Sequence, residues 1–357
     1  MTERTWMLYG ANGYTGELIA EEARRRGMTP VLAGRRAEAI RPIAERLGLP
    51  WRAFPVDTPE AVVQGMHGVA VMLLAAGPFT VTSAPVVEAC LRTGTHYLDI
   101  TGEIPVFEAC HRRDAEARAR GCVVLPGVGF DVVPSDCLAA SLAQALPGAT
   151  HLELAFSSSG GFSKGTAKTV VQNLSEGGAI RRDGVITSVP MGWRSKRIPF
   201  ADHPRTAMSI PWGDVSTAFH STGIPNIVVY MATPRRMVQG AKLVAHVTPV
   251  LALSPVKELL KRVIDKAVKG PDEQTRRTAR AQLWGRVEDA SGRSVEGTLT
   301  TPEGYQLTVL TAVEAVARVL KGNVKPGALT PSKAFGAGFI TEFAGCELRI
   351  HPVGARA

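Results

Sequence analysis

Three glycines, each separated by two residues, follow the apolar run Trp6 to Tyr9. Gly10, Gly13 and Gly16 sit directly before an amphipathic stretch that begins at Tyr14. Strand, glycine turn and helix in that order commit the N-terminus to a β-α unit able to hold a dinucleotide pyrophosphate. Gly10 can turn sharply out of the strand, and Gly13 lets the backbone approach a phosphate with no Cβ in the way. Gly16 lets the helix pack close to the sheet. The first helical N–H groups then offer a partial positive charge to the anion. Asn12, Tyr14 and Thr15 complete the turn and are assigned to the same site. Ordinary β-α turns also contain such glycines, so the elements that follow decide.

Pro30 to Arg36 is a short apolar strand ending in two arginines. Arg35 stands 19 residues beyond Gly16, where a dinucleotide fold meets the adenosine ribose. An acidic side chain there suits NAD; an arginine pairs with a 2′-phosphate and indicates NADP(H). Arg36 joins the assignment, although it also reads as a solvent-facing residue at a helix start. Asp57, after the third strand, is placed to meet the adenine or to cap the next helix. Ala76, Gly77, Pro78 and Phe79 follow the fourth strand, where small residues and a Gly-Pro turn leave room for the pyrophosphate and nicotinamide ribose.

Through about residue 130 strands and helices alternate. Strands are expected at 5–9, 31–34, 51–55, 69–75, 96–100 and 122–125, with helices near 14–27, 36–47, 58–65, 83–93 and 104–120. Near-continuous apolar strands such as Val69 to Leu74 indicate a doubly wound parallel sheet, with ligands at the carboxyl ends of its strands. After Pro134 the pattern changes. Strands at about 150–158, 185–190, 193–198, 225–232, 281–289 and 293–300 accompany helices near 165–177, 234–266 and 304–320. Asp289 to Gly292 marks a hairpin. The expected fold class is therefore α/β, with a second α+β domain. The boundaries are 1–133 and 134–325, and a tail of about 326–357 is free to return to the first domain.

The 357 residues carry a net charge of +9, and 6% are aromatic. The arginine pairs are dispersed and lack interleaved aromatics. The sequence therefore indicates no nucleic-acid partner, and a basic surface suited to anionic cofactors and acyl-carrier or CoA substrates. Five scattered cysteines without a C-x-x-C pair suit reduced thiols and no metal site. No signal peptide or spanning segment is evident, so a cytoplasmic location is expected.

The fifth strand ends in Tyr97-Leu98-Asp99-Ile100-Thr101-Gly102-Glu103. Period two puts Tyr97, Asp99 and Thr101 on one face beside the cofactor, and Thr101 is assigned to it. Glu103 fits the first turn of the next helix. The sixth strand runs into Gly127-Val128-Gly129-Phe130-Asp131, which places Asp131 at the mouth between the domains. Tyr97 and Asp131 are the candidate proton donors.

The ordered set Gly10-x-x-Gly13-Tyr14-Thr15-Gly16, Ala33-Gly34-Arg35, Gly77-Pro78-Phe79, Tyr97-x-Asp99-x-Thr101-Gly102-Glu103 and Gly129-Phe130-Asp131-x-x-Pro134-Ser135-Asp136 resembles the saccharopine dehydrogenase-like oxidoreductases, in particular the trans-acting enoyl reductase branch. The resemblance continues through Ser163-x-Gly165-Thr166, Gly270-Pro271 with Arg276, and Pro302-x-Gly304-Tyr305. It implies an NADP-binding Rossmann domain and a second domain for substrate and homodimer contacts.

Three further readings stand beside it. Gly161-Phe162-Ser163-Lys164-Gly165 matches a nucleophile elbow, with Asp183, Asp202, His220 and His246 downstream, but Ser157 to Gly161 separates it from its strand. A short-chain dehydrogenase is excluded, because no tyrosine has a lysine four residues on. The basic, apolar stretch Arg235 to Lys269 suits a core or dimer helix, or a peripheral membrane contact in a non-catalytic sensor. For the reductase, two substrates remain open. The aromatics Trp193, Phe200, Trp212, Phe219 and Tyr230 suit an acyl channel for an enoyl thioester, whereas Lys164, Lys168 and Arg276 suit the carboxylates of an imine.

Overall fold

The computed structural model describes residues 5–158, 160–161, 177–234 and 270–351. From the N-terminus the elements run β1 (Trp6–Tyr9), α1 (Tyr14–Arg25), β2 (Val31–Gly34), α2 (Ala37–Leu47), β3 (Trp51–Ala53), α3 (Pro59–Gly65), β4 (Val71–Leu74) and α4 (Phe79–Thr93). Then come β5 (His96–Asp99), α5 (Ile104–His111), α6 (Asp114–Ala119), β6 (Val123–Leu125), α7 (Val133–Ala145), β7 (Ala149–Ser158), β8 (Gly178–Arg182), β9 (Val185–Val189), β10 (Ser195–Pro199) and β11 (Pro204–Ser209). The remainder is α8 (Asp214–Thr222), β12 (Asn226–Ala232), α9 (Glu273–Thr278), β13 (Arg280–Asp289), β14 (Ser294–Pro302), α10 (Gly304–Leu320), β15 (Gly327–Ala328), α11 (Pro331–Phe335) and β16 (Glu347–His351).

Two compact units result, Met1–Val133 with Tyr305–Phe335, and Pro134–Gly304 with Gly336–Ala357. The first holds a seven-stranded sheet in the order β15-β6-β5-β4-β1-β2-β3. Every pairing in it is parallel. The order reverses at β1, so the crevice for a ligand opens at the carboxyl ends of β1 and β4. Both sheet faces are covered, which is why β1, β2, β4 and β6 are apolar throughout. Met7, Tyr9, Met72, Leu74, Tyr97 and Val124 face a core completed by α3, α4 and α5. Trp6, Leu8, Val71, Leu73, Leu98 and Leu125 face Ile19, Ala20, Ile40 and Ala44 of α1 and α2.

That second face is closed by α10. Val309, Ala312, Val313, Val316 and Val319 join its core, and Arg26 pairs with Glu314 at 3.2 Å. The segment that returns to the first unit is therefore Tyr305–Phe335, helix included, and the chain from Gly336 rejoins the second unit. The sequence reading placed this helix in the second domain and the return at 326–357. An apolar stripe reports that a helix is buried, and not against which sheet.

α4 also begins earlier than expected. The sequence pattern predicts a helix near 83–93, but the helix begins at Phe79 and carries Pro85 inside. The reason is a carboxylate from a different element, described below. The expected helix 104–120 is two helices, α5 and α6.

The second unit has a nine-stranded sheet with the path β10-β11-β12-β7-β13-β14-β16, and β8 and β9 branch from β12. β12 and β7 are parallel, and the other pairings are antiparallel. The β13–β14 turn is locked by Asp289, whose carboxylate accepts from the Ser291 and Arg293 amides. Gly292 supplies the left-handed residue (φ 82°). α7 is tied to α8 by the Ser135 hydroxyl, which donates to Asp214 at 2.9 Å, and by Ser221, which donates to the buried Asp136. Among the described residues, no helix is long and apolar enough to cross a membrane.

Candidate active site

The glycine turn is built as its spacing requires. Gly10 has φ 90°, and a Cβ on it would stand 2.8 Å from the Ala75 carbonyl carbon. A Cβ on Gly16 would stand 2.2 Å from the Gly10 carbonyl oxygen, and one on Gly13 3.3 Å from the same atom. The turn, the start of α1 and the end of β4 thus close on one another with no room for a side chain. Gly13 is the N-cap of α1 and makes no side-chain cap. Asn12 is exposed, while Tyr14 and Thr15 are half-buried. The Tyr14 ring meets the Tyr305 ring edge-on, with centroids 5.0 Å apart.

The other helix at the crevice differs. Phe79 and Thr80, the first residues of α4, donate their amides to the two oxygens of Glu103 at 2.9 and 2.8 Å. A buried carboxylate therefore occupies the N-terminus of α4, where the dipole favours it, and leaves α1 as the helix whose start lacks a side-chain acceptor. Of the residues assigned after β4, Gly77 and Pro78 are exposed and Ala76 and Phe79 half-buried. The Thr82 hydroxyl donates to the Ala76 carbonyl at 2.7 Å and shapes this loop.

At the far side of β1, Arg35 and Asp57 are both exposed and act on one group, the Tyr9 hydroxyl. Burial pushes Tyr9 up to about 12; the Arg35 charge opposes the rise and Asp57 adds to it. Tyr9 donates to the Phe54 carbonyl at 2.7 Å. Arg36, 71% exposed, lies 3.7 Å from Glu38; it is the N-cap residue of α2. Arg35 is thus exposed at the β2 end, and Arg36 has an acidic neighbour.

Behind β5 lies a buried network. Asp99 is fully buried and accepts from the Tyr97 hydroxyl (2.5 Å), the Thr101 amide (2.9 Å) and the Gly127 amide (2.8 Å). The Thr101 hydroxyl in turn accepts from the Glu103 amide at 3.1 Å. Burial raises Asp99 to about 6, against the three hydrogen bonds that favour the carboxylate, and Glu103 adds to the rise. Burial first, then Asp99, drives Tyr97 well above its ordinary value. Tyr97 and Thr101 have no exposed surface. Tyr97 lies in the core with residues of α4 and α5, and the hydrogen bonds of Tyr97 and Thr101 hold the β5 loop.

Asp131 is different. It is half-buried, and its carboxylate packs on Gly102, where a Cβ would stand 2.6 Å from Oδ2. Burial pushes it up to about 7. Its loop is held from α10. The Thr308 hydroxyl accepts from the Phe130 amide at 2.9 Å, and Thr311 donates to the Val128 carbonyl at 2.7 Å. Neither Glu103 as the partner of α4 nor Thr308 and Thr311 as supports came from the sequence; the Thr-x-x-Thr spacing on one helical face was the available signal for the latter pair.

The five aromatics of the second unit do not form one channel. Phe200 and Tyr230 belong to a core cluster with Trp284, and Trp212 packs on Phe156 with centroids 4.5 Å apart. The Arg181 guanidinium lies over Phe219 at 4.3 Å, and that of Arg194 over Trp193 at 4.1 Å. Arg276 donates to the Pro271 carbonyl. Ser163, Lys164, Thr166, Lys168, His246 and the stretch 235–269 lie outside the described residues.

Residues 6–125 match the family described as the saccharopine dehydrogenase NADP-binding domain. The chain is 35% identical over 187 residues to a provisionally named trans-acting enoyl reductase of Mycobacterium tuberculosis, covering 47% of this chain and 44% of the relative. It is 37% identical over 138 residues to a trans-acting enoyl reductase of Mycobacterium leprae, covering 36% of this chain and 33% of that protein. The chain thus spans less than half the length of these relatives in the matched region. Apo saccharopine dehydrogenase (L-Glu forming) from Saccharomyces cerevisiae superposes with a TM-score of 0.66 at 13% identity, over 98% of this chain and all of that one. That likeness establishes the fold.

Proposed function

We propose that this protein is an NADPH-dependent reductase of a polarised C=C bond, acting on an enoyl thioester or a related lipid or polyketide intermediate. The observation that carries the reading is Asp131, a half-buried carboxyl raised to about 7, on the loop after β6 in a unit whose opposite side bears the exposed Arg35. The names of the mycobacterial relatives support the enoyl thioester over other substrates, and their description as trans-acting suits a substrate presented by another chain.

NADPH, when bound, supplies the hydride. Gly10, Gly13 and Gly16 bring backbone to the pyrophosphate, with the first N–H groups of α1 toward its charge. Arg35 pairs with the 2′-phosphate, and Asp57 faces the adenosine. Ala76 to Phe79 border the nicotinamide ribose. Asp131 holds a proton near neutral pH and would be the group that protonates the α-carbon of the substrate. A group poised this close to the working pH is an efficient general acid. Asp99 and Glu103 hold the three strand-end loops in register around it.

The test is NADPH oxidation by the purified protein with enoyl thioesters of varied chain length, run beside amine and 2-oxo acid mixtures. Oxidation that requires the enoyl thioester is expected, with turnover lowered about 100-fold or more in Asp131→Asn while NADPH still binds. Oxidation with the amine mixtures alone would replace the reading by imine reduction.

Cofactor choice is tested separately. Arg35→Asp is expected to weaken NADPH binding by about 10- to 100-fold in a fluorescence titration, since a charge-assisted bidentate contact becomes a repulsion. NADH binding should change little. An equal loss for both would remove Arg35 from the 2′-phosphate.

A further inference from the structure

We infer that Tyr305 is a positioning residue: through α10 it holds the start of α1 and the loop bearing Asp131 in register with each other. This rests on the reading of the glycine turn as the pyrophosphate site and of Asp131 as the proton donor. It adds the part of the fold that keeps the two together.

Both segments touch one side of one helix. Tyr305, Thr308 and Thr311 recur every three residues, so they share a side of the first two turns of α10. Tyr305 sets its ring edge-on to that of Tyr14, the first residue of α1, with centroids 5.0 Å apart and an interplanar angle of 87°. Thr308 then accepts from the Phe130 amide at 2.9 Å, and Thr311 donates to the Val128 carbonyl at 2.7 Å. The loop lies close against the helix here: a Cβ on Gly129 would stand 2.8 Å from Cγ2 of Thr308.

The far ends of the same two helices are also joined. Arg26, which follows α1, pairs with Glu314 of α10 at 3.2 Å. Between the joins, Ile19 and Ala23 of α1 share one core with Val309, Val313 and Val316 of α10. Contacts at corresponding ends put α1 and α10 side by side, running in the same direction. The ring pair is the join at the glycine-turn end, and an edge-to-face pair fixes direction as well as burying area. Tyr305 is moreover the residue at which the chain re-enters the first unit, so its ring anchors the returning helix at its first turn. Hydrogen bonds along α10 hold each turn to the next, and a tilt at Tyr305 is carried to Thr308 and Thr311. Their bonds to the Asp131 loop weaken steeply once the angle opens.

The experiment has two readouts on the full chain. The first is hydrogen exchange of single amides, followed by NMR without ligand. Tyr305→Ala is expected to speed exchange of the Phe130 amide by about 3- to 10-fold, and Tyr14→Ala to do the same from the other ring. The Gly127 amide, which Asp99 accepts, should stay within about twofold in both and so report that the unit as a whole is intact. Tyr305→Phe keeps the ring and should match wild type. The second readout is NADPH affinity across wild type, Tyr14→Ala, Tyr305→Ala and the double variant. Each single change should weaken binding by about 3- to 10-fold, and the double variant should be no worse than the weaker single. Unchanged Phe130 exchange in the alanine variants, additive losses in the cycle, or a Tyr305→Phe protein that behaves like Tyr305→Ala would each overturn the inference. Should Tyr305→Ala fail to fold, Tyr14→Ala decides: faster Phe130 exchange supports the inference, and unchanged exchange overturns it. The exchange readout needs no cofactor. Failure of wild type to bind NADPH would therefore count against the cofactor reading itself, while exchange still judges the role of Tyr305.

Discussion

Gly16→Ala is expected to weaken NADPH binding by about 100-fold or more, or to prevent the first unit from folding. The added Cβ would lie 2.2 Å from the Gly10 carbonyl oxygen, a separation that cannot exist, and the obstructing atom is backbone. Relief requires α1 to move away from the turn that ends β1. That displaces the helical amides whose alignment makes the anion site, and a shift of a few tenths of an ångström in several hydrogen bonds at once is costly. Gly27→Asn provides the control. Gly27 also has a positive φ, 76°, but nothing lies within 4 Å of an added Cβ, and asparagine tolerates that conformation. Its NADPH affinity should stay within about twofold of wild type. Fluorescence titration, with circular dichroism to check folding, separates the cases. A Gly16→Ala protein that binds normally would show that the close approach is not needed.

The Gly16 spacing is legible in the sequence because it is a local device: three glycines in seven residues and one helix start. So is Arg35, whose position follows from the length of one β-α unit. The buried network is not. Period two places Tyr97, Asp99 and Thr101 on one face, but it does not say whether that face opens to a ligand or lies under a helix. Glu103 reads as a first-turn carboxylate of α5, whereas its partners Phe79 and Thr80 are more than twenty residues earlier. Only the folded sheet brings the two loops together.

In the second unit, β8, β11 and α8 escaped the sequence reading for a different reason. β8 ends in two arginines, β11 begins with a proline and an arginine, and α8 is rich in serine and threonine. Each contradicts its own propensity, and tertiary pairing overrides it.

Asp99→Ala is expected to destabilise the first unit by about 3 kcal/mol or more, because the Tyr97 hydroxyl and the Thr101 and Gly127 amides lose their acceptor inside the protein. For a unit of this size that lowers its thermal transition by roughly 6–12 °C. The pH dependence has a definite sign. Asp99 is raised from 3.8 to about 6 on folding, so the native state binds the proton more tightly than the unfolded chain. The contribution is fully present below about pH 4 and declines as pH rises through 6, by about 3 kcal/mol in total. Carboxylates held by arginines, such as Glu22 and Asp114, are lowered and pull the opposite way. The informative quantity is therefore wild type minus Asp99→Asn, measured by urea unfolding at pH 4.5 and 7.5. Relative to the variant, wild type should lose stability on going to the higher pH. A difference that does not change with pH would mean that Asp99 does not titrate in this range.

The order in which the chain is synthesised gives α10 a separate significance. Every strand of the first unit's sheet except the short β15 is complete by Leu125, yet the helix that bonds the Val128–Asp131 loop ends at Leu320. At 5–20 residues per second a ribosome needs roughly 10–40 s to cover that interval. For that time the sheet face packed by α1 and α2 lacks the α10 residues that complete its core, and the Phe130 amide and Val128 carbonyl await their threonine partners. The second unit is translated almost entirely within the gap. A chain arranged in this way finishes its first unit late, and the loop bearing Asp131 is secured only after nearly all of the protein has been made.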